Sequence, residues 1–185
     1  MSDFVVIGAA ILAGALGGYL LARRWRIGRR TEEPEAIHRI LLPFTGTEIS
    51  RRALDAALRL SRAEDATLMP AYLATVPKRL PLDCSIPHQA GQAMPMLEAI
   101  EQRATAQRVP VDARIERGRS YRHALARLLE AEPVDRVVVP AGATGSNGLS
   151  GDDLVWLLDR APAEVLILRP APSDEGRVSV SRESR

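Results

Sequence analysis

Apolar positions along the chain fall into three regimes. The first is one unbroken run of apolar and small residues, "FVVIGAAILAGALGGYLLA", from Phe4 to Ala22. The second, from Arg39 to Arg169, alternates short apolar blocks with stretches whose apolar residues recur at helical spacing. The third, from Pro170 to Arg185, is predominantly polar, and its composition predicts a disordered tail over 171–185.

The middle regime predicts the fold class. "RILLPF" is a short apolar block of buried-strand type, and "EISRRALDAALRLSRAED" places Ala53, Leu54, Ala57 and Leu58 on one face of an amphipathic helix. "ATLMPAYLATV" reads as a strand weakened by Pro70. A proline-rich loop from Lys78 to Gly91 then leads to a helix near Met94–Gln107. "VDARIERG" alternates as a strand, and "SYRHALARLLEAE" follows as a helix with Ser120 at its N-cap. "VDRVVVP" is the most apolar strand, "DDLVWLLDR" a helix, and "EVLILR" a last strand. Strands separated by helices imply right-handed crossovers and a mainly parallel sheet covered on both faces. Ligands on such sheets bind beyond the carboxyl ends of the strands. The loops at Thr45–Ser50 and Ala141–Gly151 are therefore where a site is expected.

The first regime is long enough to cross a bilayer as a helix, which takes about 20 residues. Arg23, Arg24, Arg26, Arg29 and Arg30 follow it directly, with Tyr19 and Trp25 as interfacial residues, whereas only Asp3 precedes it. A cleaved signal peptide carries its positive charge before the apolar run. The order here predicts instead an uncleaved single-pass anchor over 1–30, with the rest of the chain on the cytoplasmic side of the inner membrane. Ala10, Gly14 and Gly18 share one helix face, a pattern that permits close helix pairing but is also common in membrane helices generally. The eight residues Thr31–His38 reach at most roughly 28 Å, so the linker over 31–37 keeps the soluble domain, 38–170, near the headgroups.

Charge then removes one function class. Residues 1–30 hold five arginines and one acid, whereas the remainder carries 20 basic and 22 acidic groups. The basicity is a juxtamembrane cluster and not a nucleic-acid-binding stripe. Aromatic residues make up 4% of the chain, too few for a base-stacking platform. The single cysteine, Cys84, fits a reducing compartment.

Three separated segments, "RILLPFTGTEISRRALDAALRLS", "RIERGRSYRHALARLLEAEPVDRVVVPAG" and "RAPAEVLILRP", resemble the universal stress protein family over residues 38–169. The resemblance implies a five-stranded parallel sheet with helices on both faces, and a homodimer formed through the last strand, Glu164–Arg169. ATP-binding members of the family carry an acidic residue after the first strand and a Gly-x2-Gly-x9-Gly-Ser/Thr loop before the last helix. This sequence departs from both. Thr45 stands where the acid would be, followed by Gly46 and Thr47, which keep the rest of the turn. In the later loop, "VVVPAGATGSNGLSGDD", Gly151 and Asp152 fall on the Gly-Ser/Thr pair and Gly142 on the middle glycine, with one residue fewer between them. The first glycine falls on or beside Pro140. The resemblance thus makes Thr45, Gly46, Thr47, Gly142, Gly145, Gly151 and Asp152 the candidate cofactor-binding residues.

The hydroxyl-to-carboxylate change carries the largest energy. Two like charges about 4 Å apart repel by roughly 4 kcal/mol at an effective dielectric near 20, about a thousandfold in affinity. A Mg²⁺ held by Asp152 or Asp153 would reverse that sign. A ligand-free account also fits: Ser150 caps the last helix, Asp152 and Asp153 meet the positive end of its dipole, and Gly142, Gly145, Gly148 and Gly151 serve a flexible connection. The favoured expectation is a non-enzymatic, stress-related binding or scaffold module with impaired ATP binding and no resident cofactor, acting beside a membrane protein; the alternative is a Mg²⁺-dependent ATP-binding regulator or slow ATPase. His38, His88 and His123 lack metal-ligand spacing, and Pro87 argues against a helical face shared by Cys84 and His88. Arg119 and Arg122 in "GRSYRH" suit either an anion or a solvated helix face.

Overall fold

The computed structural model describes residues 38–140, 149–168 and 177–179. The apolar run, the arginine cluster and the linker lie outside these residues, as do Gly142 and Gly145. Among the described residues, no helix is long and apolar enough to cross a membrane.

Five parallel strands form the main sheet in the order β4-β3-β1-β5-β6. They are β1 (Arg39–Phe44), β3 (Thr67–Thr75), β4 (Arg114–Gly118), β5 (Arg136–Pro140) and β6 (Glu164–Leu168). The helices between them are α1 (Arg51–Ala63), α2 (Pro87–Ala106), α3 (Tyr121–Ala131) and α4 (Gly151–Arg160). Alternate residues of the strands feed two cores. Ile40, Leu42 and Val138 pack with apolar residues of α1 and α2, while Leu41, Val137 and Val139 pack with Ala124, Leu125, Leu128 and Leu157 of α3 and α4. Strands β1, β3 and β5 are thus buried on both faces, which is why they read as apolar blocks, whereas β4 at the edge of the sheet is only partly buried and alternates.

Pro70 sits inside β3, a central strand, without breaking it. The backbone of Leu68 exchanges bonds with the β4 side, donating to Pro110 O and accepting from Asp112 N. Pro70, two residues on, faces the same way, into the gap between the bridge at Val111 and the start of β4 at Arg114. The missing N–H falls where the ladder is already open.

Four expectations are corrected. The helix expected near Met94–Gln107 starts at Pro87, because proline at the first helical position loses only an N–H that has no helical partner anyway. Pro87 therefore begins α2 instead of excluding it, and Pro95 lies within it. The strand expected from Val111 narrows to Arg114–Gly118, with Val111 making only the isolated bridge to Leu68. The helix expected from Glu48 begins at Arg51, after Ser50 accepts a bond from Ala53 N at 3.4 Å; Glu48–Ser50 instead forms a short strand, β2. Its partner is β7 (Arg177–Ser179), antiparallel to it, so these three residues depart from the disorder expected of the tail. Backbone pairing between distant segments leaves no signature in local composition.

At the amino ends of the strands, charged side chains tie the elements together. Asp135 accepts from the backbone N–H groups of His38 and Arg39, each at 2.8 Å. Arg136 donates to Glu64 at 2.5 Å and twice to Glu164, at 2.9 and 2.7 Å, tying the end of α1 to the start of β6.

Candidate functional site

The chain runs from β1 outward to β3 and β4 on one side, then crosses to β5 and β6 on the other. The switch point lies between β1 and β5, paired through Ile40–Arg136 and Leu41–Val137. In sheets of this kind the crevice at the carboxyl ends of such a pair is the place where ligands bind.

Thr45 directly follows β1 and is 3% exposed. Gly46 turns the chain with φ of 71°, a left-handed conformation that a Cβ disfavours, and Thr47 is exposed beyond it. Phe44 and Tyr72 stand edge to face beneath, ring centroids 5.6 Å apart. Burial and then the nearby Tyr121 phenol push the Tyr72 hydroxyl above its usual 10.0. The turn Thr45–Gly46–Thr47 and this ring pair carry no charged side chain.

The other wall is the start of α4. Leu149 is buried among Val139 and Leu157 and anchors the chain before the helix. Ser150 accepts from Asp153 N at 3.2 Å, while the Asp153 carboxylate accepts from Ser150 N at 3.0 Å and from its hydroxyl at 2.7 Å. This is a reciprocal capping box. The second oxygen of Asp153 accepts from Arg122 Nε of α3. Burial raises the Asp153 carboxyl, but the bonds from Ser150 and Arg122 outweigh it and hold the group below its ordinary 3.8.

Helices α1, α3 and α4 all begin at this edge with a serine N-cap, yet only α4 carries acids in its first turn. Gly151 is its first residue, exposed, with open space where a Cβ would stand. Asp152 follows, exposed and outside the capping box. Of the candidate residues, the structure thus brings Thr45, Gly46 and Thr47 to one side of the crevice and Gly151 and Asp152 to the helix that borders it.

Several contacts at this edge escaped sequence reasoning. Asp153, not Asp152, is the acid that closes the cap; the Ser-x-x-Asp spacing at 150–153 is the signal for it. Arg122 and Arg119, both candidate anion ligands, are engaged internally. Arg119 donates to the carbonyls of Pro77 at 2.6 Å and Leu80 at 2.8 Å, pinning the loop after β3. Thr75 lies beyond the end of β1, where its backbone has lost a strand neighbour. The Gln89 side chain replaces that strand, accepting from Thr75 N at 2.9 Å and donating to Thr75 O at 2.8 Å. Among the described residues no cluster of three or more His, Cys, Asp or Glu is arranged to hold a metal.

The family model described as the universal stress protein family matches residues 36–169. The chain belongs to the universal stress protein family. No curated protein matches it. Among solved structures it is similar to universal stress protein UspA from Lactobacillus plantarum, at 17% identity and a TM-score of 0.58, covering 73% of this chain and 99% of that one. It is also similar to a universal stress protein solved in complex with cAMP, at 21% identity and a TM-score of 0.56, covering 72% and 98%. A family protein from Arabidopsis thaliana with AMP bound matches at 14% identity and a TM-score of 0.52, covering 75% and 94%. At these identities the likeness to the solved structures is one of fold.

Proposed function

We propose that this universal stress domain is a non-enzymatic, stress-related binding and scaffold module whose affinity for ATP is impaired. One observation carries the reading: the N-terminus of α4 is already occupied by its own acid, through the Ser150–Asp153 box and Arg122. A helix N-terminus attracts phosphate through unsatisfied N–H groups and its dipole; here the Asp153 carboxylate already places a negative charge against that end, engaging Ser150 and Arg122, and Asp152 adds a second. What the crevice still accepts are nucleotides of low phosphate charge, in line with the relatives solved with cAMP and with AMP.

Two further parts belong to the proposal. The run Phe4–Ala22 anchors the chain in the inner membrane with the domain facing the cytoplasm, a reading supported by the arginines that follow it. The domain pairs with a second copy through β6. Supporting this, Val155, Leu158 and Ile167 on α4 and β6 are exposed, and among the described residues β6 is an end strand of the sheet.

The second reading, a Mg²⁺-dependent ATP-binding regulator, is favoured by the exposed Asp152 carboxylate at the helix start. ATP binding and phosphate release, measured on the full chain in detergent with and without Mg²⁺, separate the two. The scaffold reading expects no turnover and no gain from Mg²⁺. Tight binding that requires Mg²⁺ and vanishes in Asp152→Ala replaces it with the second reading.

A further inference from the structure

Strand β4 ends the main sheet on the side opposite β6. Along such a strand, alternate residues turn their main-chain groups towards the neighbouring strand and away from it. Asp112 N donates to Leu68 O and Val76 N donates to Gly118 O, so Arg114 and Glu116, in phase with Asp112 and Gly118, face β3. Ile115 and Arg117 therefore direct their N–H and C=O outward, and among the described residues no strand meets them. A groove of about 390 Å³ lies beside this edge, lined by Leu82 and Asp83 of the loop before α2, by Ile115, Glu116 and Arg117 of β4, and by Arg127 of α3. The edge is open to a further strand.

Charge on an edge strand ordinarily discourages pairing, but the order of charge here favours one partner. Arg114, Ile115 and Glu116 read positive, apolar, negative. Laid antiparallel to itself about Ile115, the strand sets Arg114 opposite Glu116 of the second copy, Glu116 opposite its Arg114, and Ile115 against Ile115. The hydrogen-bond phase agrees. The outward groups of Ile115 exchange both bonds with the same groups of the copy, and the Arg–Glu pairs fall at the positions between, where side chains are closest. A centre at Arg117 would instead oppose two arginines, and one at Ala113 lies outside β4. Both charged side chains are already held on the α3 side of the sheet. Arg114 donates to Asp112 at 2.9 Å and lies 3.3 Å from Glu132, the C-cap of α3, while Glu116 lies 3.4 Å from Arg127. The Nε of Arg114 is left without a hydrogen-bond partner.

From this edge we infer that β4 pairs antiparallel with β4 of a second copy of the chain, about a two-fold axis at Ile115. The pairing uses the edge of the sheet that β6 does not, so the two contacts are independent. A ladder this short binds weakly, and its test is therefore one that traps it.

The full chain in detergent, with Cys84→Ser, carries a single thiol at Ile115→Cys. The register brings two such Cα atoms to about 5.5 Å, within the span of a disulfide. In Arg117→Cys the two thiols stand about 13 Å apart along the strands and cannot join. Mild oxidation therefore yields a disulfide dimer at least about tenfold faster for Ile115→Cys than for Arg117→Cys. Pairing through β6 leaves position 115 of the two copies on opposite edges of the joined sheet and gives no such dimer. Charge then tests the register. Adding Glu116→Arg, or adding Arg114→Glu, to the Ile115→Cys chain sets like charges opposite one another and slows cross-linking about tenfold. Mixing the two variants restores the rate, in mixed dimers only. The comparison of positions 115 and 117 keeps Arg114 and Glu116 and stands even where a charge variant fails to fold. Equal rates at 115 and 117, undiminished cross-linking in both charge variants, or a thiol at 115 that joins a foreign protein and not its own copy overturns the inference.

Discussion

Gly118 closes β4 one residue before the turn into α3, and the helix backbone comes down directly on it. A Cβ added there stands 2.3 Å from Ala124 N, 2.7 Å from Ala124 Cα and 2.7 Å from Ser120 O. Ordinary carbon contacts begin near 3.5 Å, so the overlap is about 1 Å. All three atoms belong to the backbone, and no rotamer change relieves the clash. In Gly118→Ala the first turn of α3 must retreat, taking with it the Ser120 cap and the Arg122–Asp153 pair. Overpacking of a rigid site costs about 1–3 kcal/mol, and a backbone clash belongs at the upper end. With an m-value of about 2 kcal/mol/M, a loss of about 3 kcal/mol lowers the urea midpoint by about 1.5 M. Gly91→Ala is the internal control. Gly91 lies within α2 with nothing near its absent Cβ, so alanine there raises stability by about 1 kcal/mol through helix propensity. Urea unfolding followed by circular dichroism measures both. A Gly118→Ala midpoint within about 0.3 M of the parent would refute the close approach of helix and strand.

Further outcomes follow from single contacts. Asp153 has a depressed carboxyl, so its stabilisation is full above the unfolded value near 3.8 and fades as pH falls through the lower folded value. Asp153→Asn therefore lowers stability by about 1 kcal/mol at neutral pH, and the loss relative to the parent shrinks in unfolding curves taken below pH 4. Gln89→Ala strips both partners from the Thr75 backbone and costs about 1–3 kcal/mol; hydrogen exchange at Thr75 rises with it. Arg108 follows α2 with φ of 59°. Arg108→Gly relieves that strain and raises the urea midpoint by an amount equivalent to about 1 kcal/mol.

The fold was largely legible because the inner strands of the sheet are buried on both faces. Blocks such as "RILLPF" and "VDRVVVP" are continuous only where both sides of a strand meet helices, and that pattern is local. The start of α4 was half legible. Ser150 and the two acids announce a capped helix, but the share of each acid depends on Arg122, 31 residues earlier in the chain. The replacement of a strand by Gln89 and the pinning of the loop by Arg119 are likewise tertiary. Neither residue type nor spacing marks them. The ladder between Glu48–Ser50 and Arg177–Ser179 was the least legible, since its three-residue strands are too short to show a period and one of them lies in a polar tail.

The central claim is that the α4 N-terminus, already faced by its own carboxylate, no longer favours polyphosphate. Parallel calorimetric titrations of the full chain in detergent with ATP and with AMP, each with and without Mg²⁺, test it most directly. The account predicts that ATP binds no more tightly than AMP, with a dissociation constant weaker than about 0.1 mM, some 5.5 kcal/mol of binding. ATP binding at about 1 μM or tighter, and at least about tenfold tighter than AMP, would contradict it.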